Sequence, residues 1–107
     1  MCKIYKEVLR LVAEETEISP ILIESKSRLD DAVNARQMVA YFCSRAGMSP
    51  RNIADKLGIS RQAVCQKIST IGDKRMLKSF EFNFKRIEVE FAKLFPECAS
   101  KSQETRK

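Results

Sequence analysis

The sequence predicts an all-α fold of about six helices, with a helix-turn-helix at its core. Apolar residues recur at helical spacing along most of the 107-residue chain, and no segment alternates convincingly as a strand would. Only three glycines and three prolines interrupt that periodicity. We therefore expect one helical domain over residues 1–96 and a polar, disordered tail over residues 97–107.

The first half of the predicted domain contains three helices. Residues 2–17 form an amphipathic helix, and a short second helix begins at Ser19-Pro20, a cap residue followed by a proline. Three consecutive apolar residues, 21–23, predict that this short helix is well buried. The polar segment 25–30 is a loop, and Asp30 or Asp31 then caps a long helix over residues 32–45.

The helix-turn-helix is predicted over residues 49–71. Ser49 caps its first helix and Pro50 suits the first helical position, where a missing N–H costs nothing. Gly58 supplies the left-handed residue that ends this helix, and Ser60 caps the second one. An ordinary pair of helices with a solvated polar face is the alternative interpretation.

A last long helix is predicted from a cap at Asp73 to about Phe95. One face carries the strongest apolar periodicity of the chain and is expected to pack against residues 2–17. Phe82 and Val89 lie on the opposite face. That second apolar face leaves open a homodimer formed through this helix.

Composition argues against catalysis. The chain has no histidine, and its four cysteines are scattered without a CxxC pair, so we expect no zinc site, no histidine-based triad, no cofactor and no enzymatic activity. Cys43 and Cys65 fall in predicted helices and are interpreted as small packing residues or inert thiols, not as ligands. No membrane span or signal peptide is recognisable, which favours a cytoplasmic protein.

Positive charge is concentrated around the helix-turn-helix. The net charge is +6, and residues 25–79 alone carry eleven basic and four acidic side chains. Such a basic segment is typical of phosphate binding, although a merely soluble basic surface is the alternative. The residues predicted to read bases are Ser60, Arg61, Gln62 and Gln66, and those predicted to hold phosphates are Lys26, Ser27, Arg28, Arg51, Lys67 and Lys74.

The order of these features resembles the C-terminal, DNA-binding domain of the replication initiator DnaA, over residues 8–95. The resemblance is carried by Ser25-Lys26-Ser27-Arg28, by Ala35-Arg36-Gln37-Met38, and by the apolar frame Ile53, Leu57, Gly58, Val64 and Ile71. It implies a helix-turn-helix fold like that of the Trp repressor and a basic loop on backbone phosphates. It also implies that Arg36 enters the minor groove.

The sequence departs from that family at the readout residues. The family signature Gly-Gly-Arg-Asp-His-Thr-Thr-Val is replaced by residues 58–64, Gly-Ile-Ser-Arg-Gln-Ala-Val, so the turn is one residue shorter. No nucleotide-binding GxxxxGK[ST] loop accompanies the domain. We therefore expect a sequence-specific binder of double-stranded DNA in replication or transcription. The alternative is a protein-interaction module that kept the scaffold and lost specific DNA binding.

Overall fold

The all-α fold is confirmed. A computed structural model describes residues 2–25 and 29–95, and within these ranges it contains seven helices and no strand. The helices are α1 (Cys2–Thr16), α2 (Pro20–Glu24), α3 (Asp30–Arg45), α4 (Pro50–Leu57), α5 (Arg61–Ser69), α6 (Ile71–Lys74) and α7 (Lys78–Leu94). The predicted tail, residues 97–107, lies outside the described residues.

The long helix α3 is the centre of the fold and contacts all six other helices. Its Val39, Phe42 and Cys43 are completely buried. The Phe42 ring lies 5.1 Å from the rings of both Phe84 and Phe91 of α7, so aromatic packing joins α3 to the last helix. α3 also packs against α4 and α5, so it supports the two helix-turn-helix elements from behind.

The short helix α2 is only partly buried, which corrects the prediction for residues 21–23. Ile23 is completely buried, whereas Ile21 is 80% exposed. Successive helical residues point about 100° apart, so one turn of helix cannot direct three neighbours into the core. The Tyr5 hydroxyl instead ties α2 to α1 by donating to Glu24 Oε2 at 2.5 Å.

The start of α3 also differs from the prediction. The helix begins at Asp30, with Leu29 in the capping position and no side-chain cap. Asp30 and Asp31 are therefore the first two residues of the helix and not its cap. Acidic residues are favourable there because the N-terminal end of a helix carries partial positive charge.

The predicted single helix from Asp73 to Phe95 is in fact two helices. Gly72 and Asp73 lie inside the short α6, and Leu77 is an extended capping residue, 54% exposed, in front of α7. The chain must turn because α6 packs on α3 and α5, whereas α7 packs on α1 and α3. Across this bend Arg75 Nε donates to Glu81 Oε1 at 2.7 Å.

α7 packs against α1, as predicted, and Arg86 Nε donates to Glu15 Oε1 at 2.7 Å between them. On the far side of α7, Phe82 is 63% exposed and Val89 is 56% exposed. Within the described ranges, no helix is long and apolar enough to cross a membrane.

Candidate nucleic-acid interface

The helix-turn-helix forms with the predicted caps. Ser49 Oγ accepts a hydrogen bond from the Asn52 N–H at 3.3 Å, and Ser60 Oγ accepts one from the Ala63 N–H at 3.1 Å. Between the two helices Gly58 is left-handed, with φ of 71°, and its N–H donates to Ala54 O at 2.8 Å. Local sequence thus accounts for a turn of only three residues, 58–60.

α5 presents the predicted reading face to the surface. Its inner side is anchored by Val64, which is completely buried against the core. Arg61, Gln62 and Gln66 are exposed on the outer side. An exposed helix carrying a guanidinium and two amides is suited to the major groove, where these groups pair with guanine and adenine edges.

Cys65 lies on this exposed face and lines the same concave surface as Arg61 and Gln62. The interpretation as a packing residue is therefore wrong for Cys65, whereas complete burial confirms it for Cys43. Helical spacing could have predicted this exposure, because position 65 is one turn from both 61 and 62. Burial raises the pKa of the Cys43 thiol to about 12.

Arg51 of α4 is brought next to the start of α5. A shallow concave surface is lined by Ser49, Pro50, Arg51, Arg61, Gln62 and Cys65. It joins the N-terminal ends of two helices to two guanidinium groups. Both contributions attract anions, so this surface suits DNA phosphates.

A second cationic group lies where α3, α5 and α6 meet. Lys67 is partly buried, and its pKa is lowered first by burial and then by the positive charges of Arg36 and Lys74. Lys74 Nζ donates to Asn34 Oδ1 at 2.6 Å. Arg36 and Lys74 thus lie close enough to Lys67 for their positive charges to act on its pKa.

Arg36 is placed in the interior of the domain. It is 6% exposed, and its guanidinium donates to Ile23 O at 2.8 Å and to Ser25 O at 2.7 Å. Burial lowers its pKa. In the free protein Arg36 is thus bonded to the C-terminal end of α2, away from the exposed face of α5, and its minor-groove role stays a prediction.

The predicted phosphate contacts Lys26, Ser27 and Arg28 lie outside the described residues. Their segment joins Ser25, at the end of α2, to Leu29, in front of α3. The role assigned to them stays a prediction from sequence.

Gln37 was not singled out by the sequence as a functional residue. It is 4% exposed and donates from its side-chain nitrogen to Lys67 O at 2.8 Å and to Thr70 Oγ1 at 3.0 Å. A polar residue inside the apolar periodicity of α3 was the available signal. Its partners, 30 and 33 residues further along, were not readable from the sequence.

The family model described as the bacterial dnaA protein helix-turn-helix matches residues 5–71. The match covers more than half of the chain, from α1 to the first residue of α6, and leaves α7 outside. No curated protein matches the chain. In the part of the chain that the structure describes, no group of three or more His, Cys, Asp or Glu side chains could hold a metal ion.

Proposed function

The chain belongs to the bacterial DnaA helix-turn-helix family, a family of DNA-binding and not catalytic modules, and we propose that it is a sequence-specific binder of double-stranded DNA. The observation that carries this proposal is the exposed face of α5. Arg61, Gln62 and Gln66 stand there side by side, on a helix whose opposite side is anchored in the core. We further propose that the protein acts at a replication origin or a promoter.

Base readout falls to the first two turns of α5. Arg61 suits a bidentate contact with guanine, and Gln62 and Gln66 suit adenine. The Ser60 oxygen accepts the capping hydrogen bond from Ala63, while its hydroxyl proton is available to a base or phosphate acceptor.

Phosphate contacts surround this face. Arg51 lies beside the start of α5, Lys67 lies in its last turn, and Lys74 follows in α6. The segment Lys26-Ser27-Arg28 supplies further contacts in the proposal. Charges on both sides of a reading helix hold it in register on the duplex without reading sequence themselves.

Arg36 can contact the minor groove only after its side chain has rearranged. Its guanidinium must leave Ile23 O and Ser25 O, because the side chain is 6% exposed in the free protein. Substitution of Arg36 by Lys keeps the positive charge but loses the planar fork, so a minor-groove role predicts weaker DNA binding by this variant.

A second copy of the chain is the proposed occupant of the outer face of α7. Phe82 and Val89 are both more than half exposed there. The cations between them are paired within the chain, Lys85 with Glu81 at 3.8 Å and Arg86 with Glu15 at 2.7 Å, which reduces repulsion between two such faces. A dimer would fit a DNA-binding protein that reads two half-sites, and it would also fit a protein-interaction module without DNA binding.

Fluorescence anisotropy on three labelled duplexes tests the proposed function. One duplex is selected from a random pool with this protein, one carries the DnaA box, and one is random. We expect the selected duplex to bind about 10³-fold tighter than the random one. Equal, strongly salt-dependent binding to all three would leave only a charged surface and contradict the proposal.

An Arg61→Ala variant distinguishes readout of bases by Arg61 from its general electrostatic attraction to DNA. Loss of a bidentate base contact should cost about 1–3 kcal/mol on the selected duplex and relax specificity at one base pair. Arg10→Ala is the matched control, since it removes the same charge from an exposed position on α1. Equal losses for both variants on every duplex would exclude a reading role for Arg61.

A further inference from the structure

Both side-chain N–H groups of the buried Gln37 donate at the C-terminal end of α5, the proposed recognition helix. Its side-chain nitrogen has two hydrogens, and they donate to Lys67 O at 2.8 Å and to Thr70 Oγ1 at 3.0 Å. Both acceptors belong to the last turn of α5 or to its capping residue. Burying an amide is unfavourable unless it is hydrogen-bonded, so these two bonds define how α5 sits on α3.

Thr70 links Gln37 to a second carbonyl of α5, that of Gln66. Its hydroxyl accepts from Gln37 and donates to Gln66 O at 2.8 Å, and its backbone N–H donates to the same oxygen at 3.0 Å. The last carbonyls of a helix have no N–H partner inside the helix. Gln37 and Thr70 together satisfy the carbonyls of Gln66 and Lys67.

Arg36, the residue of α3 that precedes Gln37, binds the C-terminal end of α2. Arg36 donates to Ile23 O and Ser25 O, at the point where the segment 26–28 leaves α2. Two consecutive residues of α3 thus hydrogen-bond the C-terminal ends of α2 and α5.

From this geometry we infer that Gln37 is a positioning residue for base readout: its amide, acting with Thr70, holds α5 at the orientation that sequence-specific binding needs. The inference rests on the proposed function. Directional contacts with base edges require placement to within about 0.5 Å, whereas attraction to phosphates tolerates larger shifts. Loss of the amide should therefore reduce specificity and leave non-specific affinity in place.

The test compares Gln37→Met, which has a similar volume but no donor, with Thr70→Val and with the double variant. The measured quantity is the ratio of Kd on the random duplex to Kd on the selected duplex. We expect this ratio to fall by about tenfold in each single variant, the upper range for a lost hydrogen bond. The double variant should fall no further than Gln37→Met, since both changes remove the same connection.

Two control variants test whether the loss of specificity is due to the lost Gln37–Thr70 hydrogen bond. Thr70→Ser keeps the hydroxyl and should restore the wild-type ratio. Thr16→Val removes a comparable hydroxyl, which donates to Val12 O at 2.6 Å on α1, and should leave the ratio unchanged. Thermal unfolding of each variant establishes that it is folded at the assay temperature, and Thr70 is exposed, so its substitutions keep the test valid if Gln37→Met unfolds.

Amide hydrogen exchange makes the inference testable apart from DNA. Gln37→Met should speed exchange at the end of α5, the Thr70 N–H above all, without speeding it in α1. An unchanged duplex ratio together with unchanged exchange would overturn the inference. A wild-type protein that does not prefer the selected duplex would overturn the proposed function itself, and exchange alone would then decide whether Gln37 positions α5.

Discussion

Cys65 is the residue of the α5 outer face whose chemistry is easiest to change. Its thiol is exposed one helical turn from Arg61 and Gln62, whereas Cys43 is completely buried with a pKa raised to about 12 by that burial. A thiol of such high pKa has little thiolate and reacts slowly. An alkylating reagent therefore distinguishes these two positions.

We predict that N-ethylmaleimide reacts at Cys65, blocks the α5 face and weakens binding to the selected duplex by at least about tenfold, through loss of one or more base contacts. The measurement uses a C2S/C98S background, with anisotropy before and after labelling. Cys65→Ser in that background should bind the selected duplex with unchanged affinity, before and after treatment with the reagent. Tight binding by fully labelled protein would show that α5 does not enter the groove.

Lys67 gives a prediction about pH. Burial and the charges of Arg36 and Lys74 lower its pKa below the ordinary 10.5, so on raising the pH it loses its proton earlier than an ordinary lysine would. Only the cation attracts phosphate, and DNA affinity should therefore begin to fall before the pH reaches 10.5. Lys67→Arg should bind with a flatter pH profile, because arginine stays charged.

The stability of the fold should respond with the opposite sign. Because the folded pKa of Lys67 is lowered, the unfolded chain binds more protons between the folded and unfolded pKa values, and the contribution of Lys67 to stability grows as the pH rises.

The affinity prediction has its own contradicting outcome. If the DNA affinity of the wild type falls with pH no more steeply than that of Lys67→Arg, Lys67 is not a phosphate contact.

At the scale of elements, the turn of the helix-turn-helix depends on Gly58. Its φ of 71° lies in the left-handed region, and no other atom stands within 4 Å of the position a Cβ would take. The penalty for Gly58→Ala is therefore conformational, about 1–2 kcal/mol of the free energy of unfolding.

Gly72→Ala is the matched control, to be compared by urea denaturation. Gly72 lies inside α6 without a positive φ and with open space at its Cβ position. Alanine there should be neutral or stabilising, by up to about 1 kcal/mol. Equal destabilisation by both changes would show that the left-handed turn is not what Gly58 provides.

At the scale of the whole molecule, we predict that two copies associate through α7. Size-exclusion chromatography with light scattering should give twice the mass of one chain, and Phe82→Ser with Val89→Ser should give a single chain because the apolar contact is lost. Met76→Ser is the control: Met76 is 83% exposed but lies in the bend before α7. A monomeric wild type at high concentration would contradict the dimer.

The distribution of charge belongs to this scale too. The excess of basic residues lies in 25–79, and the structure gathers part of it into two places, beside the start of α5 and at the junction of α3, α5 and α6. The net charge alone predicts attraction to DNA, and the placement of these basic groups near both ends of α5 favours an approach of DNA to that helix.

The sequence by itself determined the elements whose rules are local. Ser49, Pro50, Gly58 and Ser60 specify the helix-turn-helix because a cap or a left-handed turn involves only neighbours in the chain. Helical spacing likewise predicted that Arg61, Gln62 and Gln66 share the outer face. These predictions hold in the structure because α5 has one apolar side and, among residues 2–25 and 29–95, no element covers the other.

Only the tertiary structure decided how those elements are joined. Ile21 is exposed and Arg36 buried because α2 and α3 meet with the carbonyls of Ile23 and Ser25 directed at α3. The bend at Leu77 arises because α6 packs on α5 and α7 on α1, although both also contact α3. Such outcomes depend on groups distant in sequence, and no local pattern records which of them will meet.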